Sequence, residues 1–130
     1  MKTKTVIKSF SNIEMKEKIT SLEPLLSQCN IIGYAAARNA RALMDASTVY
    51  SEFERNAIIE YGTPDTDDAG KPIGTSSISP ESDNYDEFLK AITPLREIQH
   101  EVPIMIINFE IVIGVLSGRE ILEIDWMLED

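Results

Sequence analysis

Cysteine and histidine are almost missing from this chain: Cys29 and His100 stand alone among 130 residues. A single cysteine excludes an internal disulfide and suits a reducing compartment. A single histidine leaves no plausible zinc site and no partner for a Ser-His-Asp arrangement. Cations are scarce too. Twelve Lys and Arg face 22 Asp and Glu, a net charge of −10. That balance is the reverse of the clustered positive charge a nucleic-acid backbone requires, so no nucleic-acid partner is expected. Long apolar runs are also lacking. The longest block, 102–116, is interrupted by Pro103, Asn108, Glu110 and Gly114, and about 18 consecutive apolar residues are needed to span a bilayer. Met1–Lys8 is basic, but no apolar run follows it. Neither a signal peptide nor a membrane contact is therefore expected. No glycine-rich phosphate-binding pattern occurs, and no cofactor is expected.

What the chain does have is one long helical pattern, IIGYAAARNARALMDASTVYSEFERNAIIEY, at 31–61. It contains no proline. Ile32, Ala36, Ala40, Leu43, Ala46, Tyr50, Phe53, Ala57 and Tyr61 recur three or four apart, the period of one helix face. Gly62 is placed to end it in a left-handed conformation, and Pro64 prevents resumption. At 1.5 Å per residue such a helix spans about 46 Å, against a radius of gyration of about 14 Å for a compact chain of this length. It is therefore expected to project from one core or to cross between subunits.

The flanking segments are shorter. Thr3–Phe10 alternates polar and apolar residues and reads as a half-buried strand. Ser11 with Glu14 forms a capping box for a helix carrying Ile13, Ile19, Leu22, Leu25 and Leu26, which Pro24 kinks or divides near Glu23. The segment 62–80 is rich in Gly, Pro, Ser and Asp and reads as an exposed acidic loop, with room for a short strand at 73–78. Ser82 or Asp83 caps a third helix over 83–98. Residues 100–112 read as a central strand. Ser117, with Glu120 at the box position, caps a last helix over 118–130, with Ile121, Ile124, Trp126 and Leu128 toward the core. The expectation is an α+β fold over a single domain, 1–130, with four helices and a two- to three-stranded sheet.

Few residue groups point to chemistry. Asp65, Asp67 and Gly70 echo half a calcium loop, but Ser76 stands where a bidentate glutamate is required, so no metal is expected. Asp125–Leu128 offers Trp126 as a contact residue or, more simply, as core. Arg38 and Arg41 are neighbours on one helix surface, with Asn39 between them and Tyr34 one turn before Arg38. This group, Tyr34, Arg38, Asn39 and Arg41, is the candidate ligand- or partner-binding site, suited to a phosphate or an acidic side chain. The plainer reading pairs Arg41 with Asp45 one turn on and leaves Arg38 in water. No catalytic residues stand out, and an enzyme is not expected.

The run Ile32-Gly33-Tyr34, Ala37-Arg38-Asn39, Tyr50, Glu54-Arg55, Ile59 and Tyr61-Gly62, followed by Asp67-Asp68 and Gly70, resembles small proteins of unknown function in bacteriophages and prophages of Gram-positive bacteria. The resemblance extends to the order of elements and covers most of the chain. It implies a phage origin and action in the host bacterial cytoplasm or in the virion. Two functions are compatible with it. One is an accessory protein that binds and disables a host component, such as a defence protein or its signal ligand. The other is a head or tail assembly factor acting through helical self-association. Small residues Gly33, Ala35, Ala36, Ala37, Ala40 and Ala42 on the long helix suggest a homodimer whose groove would gather Arg38 and Arg41 from both copies.

Overall fold

The computed structural model describes residues 3–130; Met1 and Lys2, the start of the basic N-terminal segment, lie outside the described residues. The fold is α+β. In order it comprises β1 (Thr3–Ser11), α1 (Asn12–Leu22), α2 (Ile31–Tyr61), β2 (Thr63–Thr66), β3 (Pro72–Ser77), α3 (Tyr85–Arg96), β4 (Gln99–Asn108), α4 (Gly118–Glu123) and β5 (Leu128–Glu129). The chain divides into two compact units, Met1–Ser47 with Gln99–Asp130 and Thr48–Ile98, and α2 contributes residues to each.

The first unit is a three-stranded sheet in the order β1-β4-β5 with α1, α4 and the first half of α2. Strand β4 is central. It runs antiparallel to β1, with Thr5 opposite Met105 and Ile7 opposite Pro103, and parallel to the two-residue β5 at Ile107 and Asn108. Val102, Ile104, Ile106 and Ile107 of β4 are buried with Met15, Leu22, Ile32, Leu43, Ile124 and Met127. The Ser11–Glu14 capping box starts α1: the Glu14 N–H donates to Ser11 Oγ, and the Ser11 N–H to Glu14 Oε1. Glu23 keeps helical geometry (φ −52°, ψ −46°), but Pro24 has no N–H to continue the α-helical ladder, and the chain passes into a single 3-10 turn, Glu23–Leu25.

On α2 the buried positions in this unit are Ile32, Gly33, Ala35, Ala36, Asn39, Ala40, Leu43 and Ser47. A methyl group on Gly33 would lie 1.9 Å from the Gln28 carbonyl oxygen, so the chain entering the helix requires glycine there. The small-residue face is thus occupied by the chain's own core. The expectation that Gly33, Ala35, Ala36 and Ala40 are open to a second helix is corrected.

The second unit holds the later half of α2, the β2-β3 hairpin and α3. Tyr50, Phe88 and Ile92 are its buried residues, with Ala57, Ile58, Tyr61, Ile78, Tyr85, Leu89 and Leu95 packed around them. Phe53, assigned to the apolar face by its spacing, is 59% exposed instead. The segment 62–80 is exposed as expected, but it is not a plain loop. Its strands pair Thr63 with Ser77 and Thr66 with Pro72, and Gly70 (φ 80°) turns between them. Gly62 ends α2 without a left-handed conformation. The reason for glycine is crowding: a methyl group there would meet the Ser77 carbonyl oxygen at 2.4 Å and that of Ile58 at 2.5 Å.

Two further boundaries differ. Helix α3 begins at Tyr85, with Asn84 as its N-cap and no side-chain cap from Ser82 or Asp83. Ser82 Oγ instead accepts from the Ser79 N–H. The C-terminal helix is cut to Gly118–Glu123, still opened by the Ser117–Glu120 box, and gives way to a 3-10 turn at Asp125–Met127 and then to β5.

Candidate functional site

Arg38, Asn39 and Arg41 come together with Thr5, Ala42, Asp45, Ala46, Pro103 and Met105 around an open cleft of about 560 Å³ in the first unit. Helix periodicity explains which of them face it. Asn39 lies in line with the buried Ala36 and Leu43, three before and four after, whereas Arg38 and Arg41 stay exposed. Neither guanidinium makes an ion pair among the described residues, unlike Lys4 with Glu129 and Lys90 with Glu87. The expected Arg41–Asp45 pair is therefore absent, although Asp45 lines the same cleft. Tyr34 is 55% exposed and stands outside the lining.

Asn39 does something other than present a polar group to a ligand. It is buried, its Nδ2 donates to the Met105 carbonyl at 3.0 Å, and its Oδ1 accepts the Met105 N–H at 2.7 Å. Both backbone groups of Met105 are thus satisfied by one side-chain amide, just where β5, which starts opposite Ile107, has not yet begun. Asn39 completes the sheet edge and fixes α2 against it. The cleft is left with two unpaired cations, a hydroxyl from Thr5, one carboxylate and an apolar wall from Pro103, Met105, Ala42 and Ala46. That set can hold an anion by charge-assisted hydrogen bonds.

The remaining candidates are committed locally. Asp65 accepts from Thr75 Oγ1 at 2.7 Å and Ser77 Oγ at 2.6 Å, and the Ser77 and Thr75 hydroxyls hold its carboxyl below the ordinary range. Asp67 Oδ1 accepts from the backbone N–H groups of Ala69 and Lys71. These acids shape the hairpin. Among the described residues no group of three or more His, Cys, Asp or Glu is arranged to hold a metal ion. Trp126 is half-buried, edge-on to Phe10 at 5.8 Å, with Lys18 Nζ 5.9 Å from its ring centre and its Nε1 donating to the Glu123 carbonyl. It is structural packing with a wet rim.

One polar feature escaped the sequence. In the second unit Tyr50 donates its hydroxyl to Glu54 Oε2 at 2.9 Å. Burial pushes the phenol above its ordinary value, Glu54 adds to this, and Arg96 opposes it. The Tyr50–Glu54 spacing of one helical turn was readable; the approach of Arg96 from α3 was not. Comparison with known protein families, curated proteins and solved structures finds no match to this chain. Among the described residues no helix is long and apolar enough to cross a membrane.

Proposed function

We propose that this is a phage-encoded accessory protein that acts by binding, without catalysis, and disables a host component by taking one of its anionic groups into the Arg38–Arg41 cleft. One observation carries the reading: two adjacent guanidinium groups stand unpaired at an open cleft in a chain of net charge −10. Ion pairs are shown for few of the chain's cations, so what sets Arg38 and Arg41 apart is that both line one cleft. The cleft falls within the range of about 300–1,000 Å³ typical of small-molecule sites. The anion is a phosphate of a small signal ligand or an acidic side chain of a host protein. The sequence resemblance to phage proteins supplies the setting, the host cytoplasm. Capture from infected cells by the native chain and by an Arg38→Glu/Arg41→Glu variant tests this, with mass spectrometry of proteins and small molecules alike. A partner or phosphorylated ligand retained by the native chain and lost from the variant supports the reading. Equal recovery by both sinks it.

A second reading has its own observation. Val49 and Phe53, one turn apart on α2, are both mostly exposed. Apolar side chains gathered on one helix face favour self-association, in the manner of a head or tail assembly protein. Sedimentation equilibrium decides: a species of 14.6 kDa at tens of micromolar contradicts a homodimer, and a dimer that Phe53→Glu dissociates supports it.

A further inference from the structure

Two surfaces meet at the Arg38–Arg41 cleft. One is a face of α2: Arg38, Arg41, Ala42, Asp45 and Ala46 recur at spacings of three and four and line one side of the helix. The other is the outer face of the sheet. Val102, Ile104 and Ile106 of β4 are buried in the core. Side chains alternate along a strand, so Pro103 and Met105 lie on the other face. Ile7 and Thr5, paired with them across β1, share that face. The Asn39–Met105 hydrogen bonds hold α2 along the β4 edge beside it.

The cleft thus offers a ligand three different contacts. Arg38 and Arg41 have no ion pair among the described residues. Asp45, one turn beyond Arg41, lines the same cleft and has none either. Pro103 is exposed, Met105 is half-buried, and Ile7 beside Pro103 is 62% exposed, so an apolar surface runs from the cleft onto the sheet. A lone phosphate or a carboxylate side chain answers only the arginines. It brings no donor to Asp45, whose charge opposes it, and it leaves the apolar surface in water. We propose that the cleft takes a ribonucleoside phosphate, with the phosphate on Arg38 and Arg41, the sugar hydroxyls donating to Asp45 and the base lying on Pro103 and Met105.

Each contact has a physical counterpart in such a ligand. Guanidinium groups form paired, charge-assisted hydrogen bonds with phosphate oxygens. A carboxylate accepts from the vicinal hydroxyls of a ribose. A thioether is polarisable and packs well against an aromatic ring, which a base supplies and a bare sugar phosphate does not. The order along the helix fits as well. Residues four apart are neighbours, about 5–6 Å between Cβ atoms, so Asp45 follows Arg41 by a step comparable to that from a phosphate across a sugar to its hydroxyls. An acidic side chain of a host protein has neither the donor nor the flat apolar body. The inference rests on the anion-binding reading of the cleft proposed above and narrows its ligand to one class.

NMR titration of the full chain tests it with adenosine monophosphate, its dideoxy analogue, ribose phosphate and inorganic diphosphate as probes. Adenosine monophosphate should bind about tenfold more tightly than ribose phosphate, because only it covers the apolar surface, and should shift the Met105 methyl group. It should also bind about fivefold more tightly than the dideoxy analogue, which lacks the donors to Asp45. Asp45→Ala should abolish the second preference while binding diphosphate at least as well as the native chain. Ribose phosphate binding as tightly as adenosine monophosphate would overturn the proposal. So would a preference for the ribose over the dideoxy sugar that survives in Asp45→Ala. In either case diphosphate bound at Arg38 and Arg41 leaves the anion-binding reading standing. No response there to any of the four probes overturns the nucleotide, and binding of an acidic peptide at the same residues would then assign the cleft to a protein side chain.

Discussion

Asn39 and Met105 lie 66 residues apart and exchange two hydrogen bonds, side-chain amide against backbone, so that a helix residue does the work of a strand at the edge of the sheet. Replacing Asn39 with Leu leaves the part-buried N–H and C=O of Met105 without partners. Each such loss costs about 1–3 kcal/mol. Denaturant unfolding should show Asn39→Leu destabilised by about that much or more, with the Met105 amide exchanging faster. A stability equal to that of the native chain would mean that water replaces the amide at no cost.

Arg38 and Arg41 should behave in the opposite way. Both are exposed and without an ion pair among the described residues. Substitution by Glu should change stability by no more than about 0.5 kcal/mol, the usual range for surface positions free of structural duties. Comparison of denaturant midpoints for Arg38→Glu, Arg41→Glu and Asn39→Leu thus separates ligand-facing from structural members of a group that the sequence presents as one.

Gly33→Ala should destabilise the first unit, because the added methyl meets the Gln28 carbonyl oxygen at 1.9 Å. The clash is with backbone, so relief requires a shift of the turn before α2. Overpacking of this kind costs about 1–3 kcal/mol. A helix-propensity gain from alanine, about 1 kcal/mol in an open helix, should not offset it. A thermal melt in which Gly33→Ala equals or exceeds the native chain would contradict the close approach.

Two groups give the protein a pH dependence of opposite sign. Hydrogen bonds from Ser11 hold the Glu14 carboxyl below its ordinary 4.5. Its contribution to stability is therefore present above that value and lost as pH falls through the lower folded value. The Tyr50 phenol is raised above 10.0 by burial, with Glu54 adding to the effect. The stability it confers is present below 10.0 and lost as pH rises through the higher folded value. Because the main donor to Glu14 is the Ser11 backbone N–H, which a Ser11 substitution would keep, Glu14→Gln should flatten the acid limb of the stability profile, and Tyr50→Phe the alkaline limb. Unchanged limbs in these variants would assign the dependence to other groups.

Much of this architecture is legible in the sequence. Helix α2, the divided first helix and both capping boxes follow from periodicity and from punctuation at Ser11, Pro24, Ser117 and Glu120. The short strand expected at 73–78 is β3, but its partner β2 and the hairpin they form are not legible, because both strands are short and almost wholly exposed and carry no hydrophobic alternation. Strand β5 has two residues and no local signal at all; it forms because Met127 is buried and draws the chain to the sheet edge. Asn39 could be read as buried from its spacing to Ala36 and Leu43. Its partner could not, since that depends on where β5 begins. Arg38 and Arg41 are neighbours by spacing alone, but whether Arg41 turns to Asp45 or to the cleft is a choice of side-chain rotamers.

The most direct test of the cleft is an NMR titration of the isotope-labelled native chain with inorganic diphosphate, observing the arginine side-chain N–H groups and the backbone. The expected result is a saturable change confined to Arg38, Arg41 and their cleft neighbours Thr5 and Ala42, weakened by salt as a partly exposed charge contact must be, and absent in Arg38→Glu/Arg41→Glu. No change at those residues up to millimolar diphosphate, or changes of equal size spread over lysines elsewhere, would contradict an anion-binding cleft.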